Sequence, residues 1–260
     1  IGAPAKPCVK VGDEVKIGTL LAEQAGFVSA PVYSSVSGKV VKIEKRSQAI
    51  GKVCDTIVIE NDKKDEIHPD IANIDRDISS LDSKQIIEIV KNAGIVGMGG
   101  ATFPTYVKLS PPENKPIDTL ILNGVECEPY LTCDDQLMRT YPEEILEGGR
   151  LIAKAVNAKR IIIGIEANKP EAYESISKVA KEKNIEVELL EVKYPQGAEK
   201  QLIYALLGRK VPAGGLPMDV GALVDNVGTA YAVYRACKYG EPLIKRALTV
   251  TGNGVENPGN

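Results

Sequence analysis

The pattern of apolar and polar positions divides the chain into a β-rich first part and a longer part in which helices and strands alternate. In residues 1–60, short β-branched runs are separated by Gly-Asp, Gly-Thr and Ser-Gly pairs, which are typical of turns between strands. Residues 61–82 are polar and show little periodicity, so we expect a linker there. Residues 83–245 predict an α/β domain with a mainly parallel sheet, because continuous apolar strands alternate with amphipathic helices that cover both faces.

The element boundaries in the second part follow from caps, prolines and apolar runs. Asp82 and Gln85 have the spacing of a capping box, and Pro170 stands at the first turn of a helix. The predicted strands are 119–122, 159–165 and 185–192, and the predicted helices are 143–156, 170–183, 198–207 and 225–238. Residues 247–251 predict one more strand, so we expect residues 246–260 to begin a further, truncated β domain.

Composition excludes several classes of protein. The hydrophobic fraction is 43% and the net charge is −3, which fits a soluble globular chain without a basic field for nucleic acid. Tryptophan is absent and phenylalanine occurs twice, so a platform for stacking bases is not expected. Neither a signal peptide nor a run of about 18 apolar residues is found. The chain begins with Ile1 and ends in a turn, so we expect a fragment of a longer protein that lies in the cytosol or on the cytosolic face of a larger assembly.

Cysteine and histidine usage argues against a metal site in this stretch. The five cysteines form no CxxC pair and no ferredoxin-type run. The one histidine, His68, falls in the predicted linker. We therefore expect no metal ligands and no catalytic histidine in this chain.

Two phrases in the first part, VKVGDEVKIGTLLAE (residues 9–23) and SAPVYSSVSGKVVKIE (residues 29–44), resemble the barrel-sandwich fold of lipoyl and biotinyl carrier domains. Such carriers present a modifiable lysine on the hairpin between the two phrases. Here residues 24–28 contain no lysine, so the resemblance implies the fold without the swinging arm, and we expect docking or scaffolding.

A glycine-rich segment at residues 94–105 is the strongest local signal for a ligand. It places four glycines in seven positions, which lets backbone amides approach an anion closely. The segment follows a predicted helix and precedes a strand, and no Gly-Lys-Ser/Thr follows it, so it fits neither a Rossmann nor a Walker loop. A long turn without a ligand is the alternative.

Three more segments lie at predicted strand ends or helix starts, where ligands of open parallel sheets collect: residues 123–132, 194–200 and 225–229. The first carries an amide and two carboxylates that suit hydroxyl groups, and the other two open helices, whose N-termini favour negative charge. Taken singly, an acidic turn or a simple N-cap explains each as well. Together with the glycine-rich segment they predict one site for a phosphorylated ligand.

These segments are similar to a known family. The chain resembles the RnfC subunit of the Rnf electron-transport complex, an ion-translocating ferredoxin:NAD oxidoreductase, and its central part resembles the flavin subunit of respiratory complex I. The residues that carry the resemblance are GAPAKP, VKVGDEVKIG, GFVSAP, GMGGATFPT (97–105), LNGVECEPYLTCDDQLM (122–138) and DNVGTAYAV (225–233).

The resemblance implies an FMN-binding module that oxidises NADH, by chemistry that belongs to the cofactor and needs no catalytic side chain. Around FMN it implies glycine contacts, a phosphate or ribityl contact from Lys108, and phosphate contacts from Asn226 and Thr229. Phe103, Glu128 and Glu199 would lie near NADH. The implied cofactor-binding residues are Gly97, Gly99, Gly100, Ala101, Phe103, Lys108, Asn123, Glu126, Cys127, Glu128, Gly197, Glu199, Asn226 and Thr229.

The resemblance also implies partners and a location. They are the other Rnf subunits at the cytoplasmic side of the membrane, with ferredoxin reached indirectly. Any [4Fe-4S] clusters would lie in a C-terminal region outside this chain. Two alternatives stay open: a soluble flavoprotein that feeds a corrinoid or amino-acid reductase, and a docking module without flavin.

Overall fold

A computed structural model describes residues 2–48 and 51–260, and within them the chain forms ten strands and seven α-helices. The strands are β1 (Lys6–Pro7), β2 (Glu14–Val15), β3 (Leu20–Glu23), β4 (Val32–Tyr33), β5 (Gly38–Ser47), β6 (Val53–Asn61), β7 (Thr119–Gly124), β8 (Arg160–Glu166), β9 (Glu186–Leu190) and β10 (Ala222–Asn226). The helices are α1 (Ser83–Asn92), α2 (Thr105–Lys108), α3 (Cys133–Thr140), α4 (Pro142–Val156), α5 (Pro170–Lys183), α6 (Glu199–Leu207) and α7 (Val227–Tyr239). The division into a β-rich first part and an α/β second part is confirmed.

The first part consists of two small antiparallel sheets, β1-β3-β4 and β2-β5-β6. Val15, Leu21 and Val40 form its buried core. β6 ends at Asn61, and Ile67 of the predicted linker pairs with Ile17 of the barrel. The proposed borders of the domains at residues 60 and 82 stay predictions.

The second part is built on one parallel sheet with the strand order β10-β7-β8-β9. Leu120 and Leu122 of β7 face the larger apolar core, which α4, α5 and α7 share. Ile121, between them, faces the smaller core on the α6 side. Because successive side chains of a strand point to opposite faces, β7 is apolar along its whole length, as the sequence pattern predicts.

Local signals set most of the helix boundaries. Gln85 N donates to Asp82 Oδ1 at 2.8 Å and Asp82 N donates to Gln85 Oε1 at 2.8 Å, so the predicted capping box is formed. α4 and α5 begin with a proline at the first turn, and each ends at an asparagine in the left-handed conformation, Asn157 and Asn184. The predicted helix 170–183 is confirmed at both ends.

Two predictions about elements are wrong. The helix predicted over 225–238 begins at Val227, because Asp225 and Asn226 end β10, a strand that the sequence analysis missed. β10 is short and ends in two buried polar residues, so it lacks the continuous apolar run that marks its neighbours. The strand predicted at 247–251 is replaced by a single bridge between Val250 and Gly259. Within the part of the chain that the structure describes, no helix is both long enough and apolar enough to cross a membrane.

Candidate cofactor site

Four loops meet at the carboxyl edge of the parallel sheet, and together they are called the loop rim. Its members are the Gly loop (97–103), the loop after β7 (125–132), the loop after β9 (191–198) and the start of α7 (226–229). Met98 N donates to Thr229 Oγ1 at 3.0 Å, which joins the Gly loop to α7. Asn123 Nδ2 donates to the carbonyl of Gly197 at 2.9 Å, which joins the other two loops. Parallel strands end at one edge, so their loops converge as the sequence predicts.

The Gly loop is closed at its base and open at its tip. Gly97 N donates to the carbonyl of Phe103 at 2.8 Å. At the tip, a Cβ added to Gly100 would meet nothing within 4 Å, and one added to Gly99 would meet only Asn226 Cβ at 3.5 Å. Among residues 2–48 and 51–260, no protein group accepts a hydrogen bond from the N–H of either glycine. The tip therefore forms a cradle of backbone amides with room for an anionic group.

Three residues of the loop rim hold a strained backbone. Thr102, Glu126 and Tyr130 have φ angles of 51°, 49° and 69°. This left-handed region is unfavourable for residues with a Cβ, above all for bulky or β-branched ones. Such conformations persist where surrounding contacts impose them, and they cluster at ligand sites.

The carboxylate of Glu126 points inward, and its side chain is 1% exposed. It accepts from the backbone N–H groups of Asp134 at 2.8 Å and Asp135 at 3.2 Å, at the start of α3. Lys169 Nζ lies 3.0 Å from Glu126 Oε2 and also donates to the carbonyl of Leu131. Glu126 thus fixes the loop after β7 onto α3 rather than presenting its charge at the surface.

Asp134 and Asn226 link this cluster to α7. Asn226 Nδ2 donates to Asp134 Oδ2 at 2.7 Å, and Asn226 Oδ1 accepts from Gly228 N at 2.8 Å. Burial raises the pKa of Asp134 to about 6; the bond from Asn226 lowers it and the nearby charge of Glu126 raises it. Both ends of the Asn226 amide are therefore engaged inside the protein.

Lys108 forms a charged floor beneath the loop rim. Its Nζ donates to the carbonyl of Val224 and to Asp225 Oδ1 at 3.1 Å, and Glu199 Oε1 lies 3.7 Å away. Burial lowers the pKa of Lys108, but attraction by Asp225 and Glu199 outweighs it, so the net pKa is raised and the ammonium stays charged. Asp225 Oδ2 is buried and, within the described residues, has no hydrogen-bond partner.

Two clefts flank the loop rim. One, of about 270 Å³, is lined by the loops after β7, β8 and β9, with Glu128, Tyr130 and Tyr194 exposed at its edge. The other, of about 320 Å³, lies between the barrel, the Gly loop and the segment after α7 that carries Arg246. Arg246 Nη2 donates to the carbonyl of Met98 at 3.3 Å, so this segment is bound to the Gly loop.

The predicted site residues lie around the loop rim in two groups. The accessible or half-buried group, which leaves surface for a ligand, consists of Gly97, Gly99, Gly100, Ala101, Phe103, Glu128 and Glu199. The group whose side chains make bonds within the protein consists of Lys108, Asn123, Glu126, Asn226 and Thr229. Cys127 and Gly197 touch: a Cβ on Gly197 would lie 3.2 Å from Cys127 Sγ.

Three charged residues of the site were missed by sequence reasoning: Asp134, Lys169 and Asp225 as the partner of Lys108. Lys169 directly precedes Pro170 and Asp134 lies in a polar run, so neither carried a signal of its own. Their partners are distant in the chain, and only the fold brings them together.

Comparisons with known proteins agree with this geometry. Residues 90–235 match the family model of the Nuo51 FMN-binding domain, and residues 1–64 match that of the RnfC barrel sandwich hybrid domain. A solved chain of an NAD+-reducing [NiFe]-hydrogenase superposes with a TM-score of 0.50 and 28% identity, over 60% of this chain and 31% of that one. The predicted fold, a barrel-sandwich domain before a complex I-like flavin domain, is confirmed.

Curated relatives cover the full chain. It is 49% identical to the RnfC-type subunit of the proton-translocating ferredoxin:NAD(+) oxidoreductase complex of Clostridium ljungdahlii, over 100% of this chain and 57% of the relative. It is 48% identical to the counterpart from the Na(+)-translocating complex of Acetobacterium woodii, over 99% and 58%. The chain thus spans just over half the length of these relatives. It belongs to the RnfC family of subunits of ion-translocating ferredoxin:NAD(+) oxidoreductase complexes.

Proposed function

We propose that this chain is the FMN-binding, NADH-oxidising part of an Rnf-type complex that passes electrons between NAD(H) and ferredoxin. The observation that carries the proposal is the open cradle at Gly99 and Gly100, held against Asn226 at the carboxyl edge of a parallel sheet. The match of residues 90–235 to an FMN-binding family supports the choice of ligand.

In this proposal the backbone of the Gly loop and the start of α7 receive the phosphate and ribityl chain of FMN. The free amides of Gly99 and Gly100 donate to the phosphate, and the Lys108 ammonium below offsets negative charge. When bound, FMN supplies a ring that accepts a hydride and releases electrons singly. Cys127 and Gly197 line the side of that ring, where only a glycine leaves room beside the thiol.

Other residues take up the nicotinamide dinucleotide. Phe103 is half-buried beside the Gly loop, and Glu128 is exposed in the cleft after β7. Phe103 would stack on the nucleotide and Glu128 would accept from ribose hydroxyls. Glu199, held near Lys108, stands at the first turn of α6 and would face the dinucleotide from the other side.

We assign the onward path of electrons to regions outside this chain. The relatives are named as parts of complexes and are nearly twice as long, so [4Fe-4S] clusters, contact with further Rnf subunits and attachment at the cytoplasmic face of the membrane belong to that larger assembly. Ferredoxin is then an indirect partner, reached through those clusters.

The test is a titration of the purified chain with FMN, followed by anaerobic addition of NADH. We expect flavin absorbance, fluorescence quenching on binding and bleaching of the flavin band by NADH. Riboflavin, which lacks the phosphate, is the matched control and should bind at least about tenfold more weakly if the Gly loop receives the phosphate. A colourless protein that binds neither flavin would contradict the proposal and favour a docking module.

A further inference from the structure

The base of the Gly loop lies against the barrel. The loop stem consists of residues 95–97 and 103–105, joined by the Val96–Pro104 bridge and by a bond from Thr105 N to the carbonyl of Ile95 at 3.0 Å. The two strands of this stem set the direction in which the glycine tip points. The residues at both ends of the stem contact one segment of the barrel, residues 24–33.

The first end of the stem is Gly94, which has a φ of 68°. A Cβ at this position would lie 2.6 Å from the backbone oxygen of Pro31, so the barrel backbone leaves no space for a side chain here. Nearby, the Tyr33 hydroxyl donates to the carbonyl of Asn92 at the end of α1. The stem therefore begins in direct contact with the barrel.

The second end of the stem leads into Tyr106, which is 5% exposed. Its hydroxyl donates to the carbonyl of Phe27 and accepts from Gln24 Nε2 at 2.8 Å. The rings of Phe27 and Tyr106 meet edge to face, with centroids 6.1 Å apart and an interplanar angle of 81°. One buried phenol thus joins the α/β part to the hairpin of the barrel.

Tyr106 also connects to the floor of the loop rim. It lies in α2, the short helix that carries Lys108, and Lys108 binds Asp225. A shift of Tyr106 would therefore move the stem on one side and the Lys108 ammonium on the other. A helix of four residues has few contacts of its own to resist such a shift.

We propose that Tyr106 is a positioning residue for cofactor binding, through which barrel segment 24–33 fixes the Gly loop and Lys108. The flavin readout of this inference rests on the proposed function. Gln24 and the Phe27 carbonyl hold the phenol from the barrel side, and the stem and Lys108 follow its position on the other side. The barrel would then serve the site by preorganising it.

The experiment uses the whole chain with Tyr106→Phe, which keeps the ring contact and removes the hydroxyl. We expect FMN affinity to fall roughly fivefold, the effect of losing bonds that hold a loop in its binding conformation. Hydrogen exchange should become faster at the amides of Gly97 and Thr105 and stay unchanged in β7. Tyr173→Phe on α5 removes a hydroxyl from a half-buried tyrosine elsewhere and should change neither quantity.

A second variant, Gln24→Met, removes the donor on the barrel side and leaves α2 intact. Its effect on FMN affinity should have the same direction and should not add fully to that of Tyr106→Phe, because both break one cluster. If both variants keep wild-type affinity and exchange, the inference is overturned while the proposed function stands. If the wild-type chain binds no FMN, the proposed function fails, and the exchange rates at Gly97 and Thr105 still decide the inference.

Discussion

Glycines serve opposite purposes in two regions of this molecule. In the helix layer, a Cβ on Gly148 of α4 would lie 1.9 Å from the backbone oxygen of Ala230 in α7, so the missing side chain lets two helices touch. In the loop rim, a Cβ on Gly100 would meet nothing within 4 Å. One region uses glycine to remove space and the other to leave space open.

The surroundings of the two regions differ in the same sense. The helix layer encloses fully buried aliphatic side chains such as Leu122, Leu146 and Ile152. The loop rim is joined by polar contacts and contains strained backbone at Thr102 and Glu126. Dense apolar packing stabilises a fold, whereas strain and open polar surface are tolerated where a ligand binds. Changes in the layer should therefore alter stability, and changes in the rim should alter binding.

The largest expected effect is loss of FMN binding in Gly99→Asp. The new carboxylate would stand against the flavin phosphate, and opposed like charges cost several kcal/mol, so affinity should fall roughly a thousandfold. Flavin content after purification and an FMN titration measure this. Gly99→Asn has the same size without the charge and should lose much less, since Gly99 faces only Asn226 Cβ at 3.5 Å. Equal flavin content in Gly99→Asp and wild type would refute the loop assignment.

In the helix layer, Gly148→Ala should lower the free energy of unfolding by about 3 kcal/mol, because the added methyl collides with rigid backbone. Urea denaturation followed by circular dichroism measures this. The adjacent Gly149 is the matched control: its Cβ would meet the end of the Leu122 side chain at 2.6 Å, which can move, so Gly149→Ala should cost less. A larger cost for Gly149→Ala would break the contrast between a backbone and a side-chain neighbour.

Asp134 should make the loop rim affect stability as a function of pH. Its pKa is raised by burial from 3.8 to about 6, so between these values the folded state binds more protons than the unfolded state. Stability should therefore fall by about 2 kcal/mol as pH rises from about 4 to about 6. Asp134→Asn should remove this part of the pH dependence, measured by urea unfolding at a series of pH values.

Asp135→Asn is the control for the pH series, because it removes a charge from the same turn of α3 and leaves Asp134 in place. It should keep the fall in stability over the same pH range. The same fall in Asp134→Asn would show that another group causes it.

The smallest expected effect separates the two ligands of the loop rim. Phe103→Ala should raise the KM for NADH about tenfold, the value of one aromatic stacking contact, and should change flavin content less than about twofold. Steady-state kinetics with an artificial electron acceptor and the flavin absorbance ratio measure these two quantities. Tyr204→Ala removes an exposed ring from α6 and should leave both unchanged. A parallel loss of flavin and NADH affinity would mean that Phe103 belongs to the core.

Much of the fold could be predicted because its signals are local. The capping box at Asp82 and Gln85 and the proline at the start of α5 are readable from neighbouring residues, and the structure confirms them. β10 was missed because it is short and ends in Asp225 and Asn226, which read as a helix start. Their polarity is explained by partners far away in the chain, Lys108 and Asp134.

The sequence alone determined the alternation of apolar strands and amphipathic helices, and with it a parallel sheet whose loops converge at one edge. It also determined that glycines 97, 99 and 100 belong to one loop. Only the tertiary structure decided that Glu126 and Asn226 turn inward, that Lys108 is a floor, and that the barrel contacts both ends of the Gly loop stem. Periodicity and caps act within a few residues, whereas the direction of a polar side chain depends on partners that folding brings from distant parts of the chain.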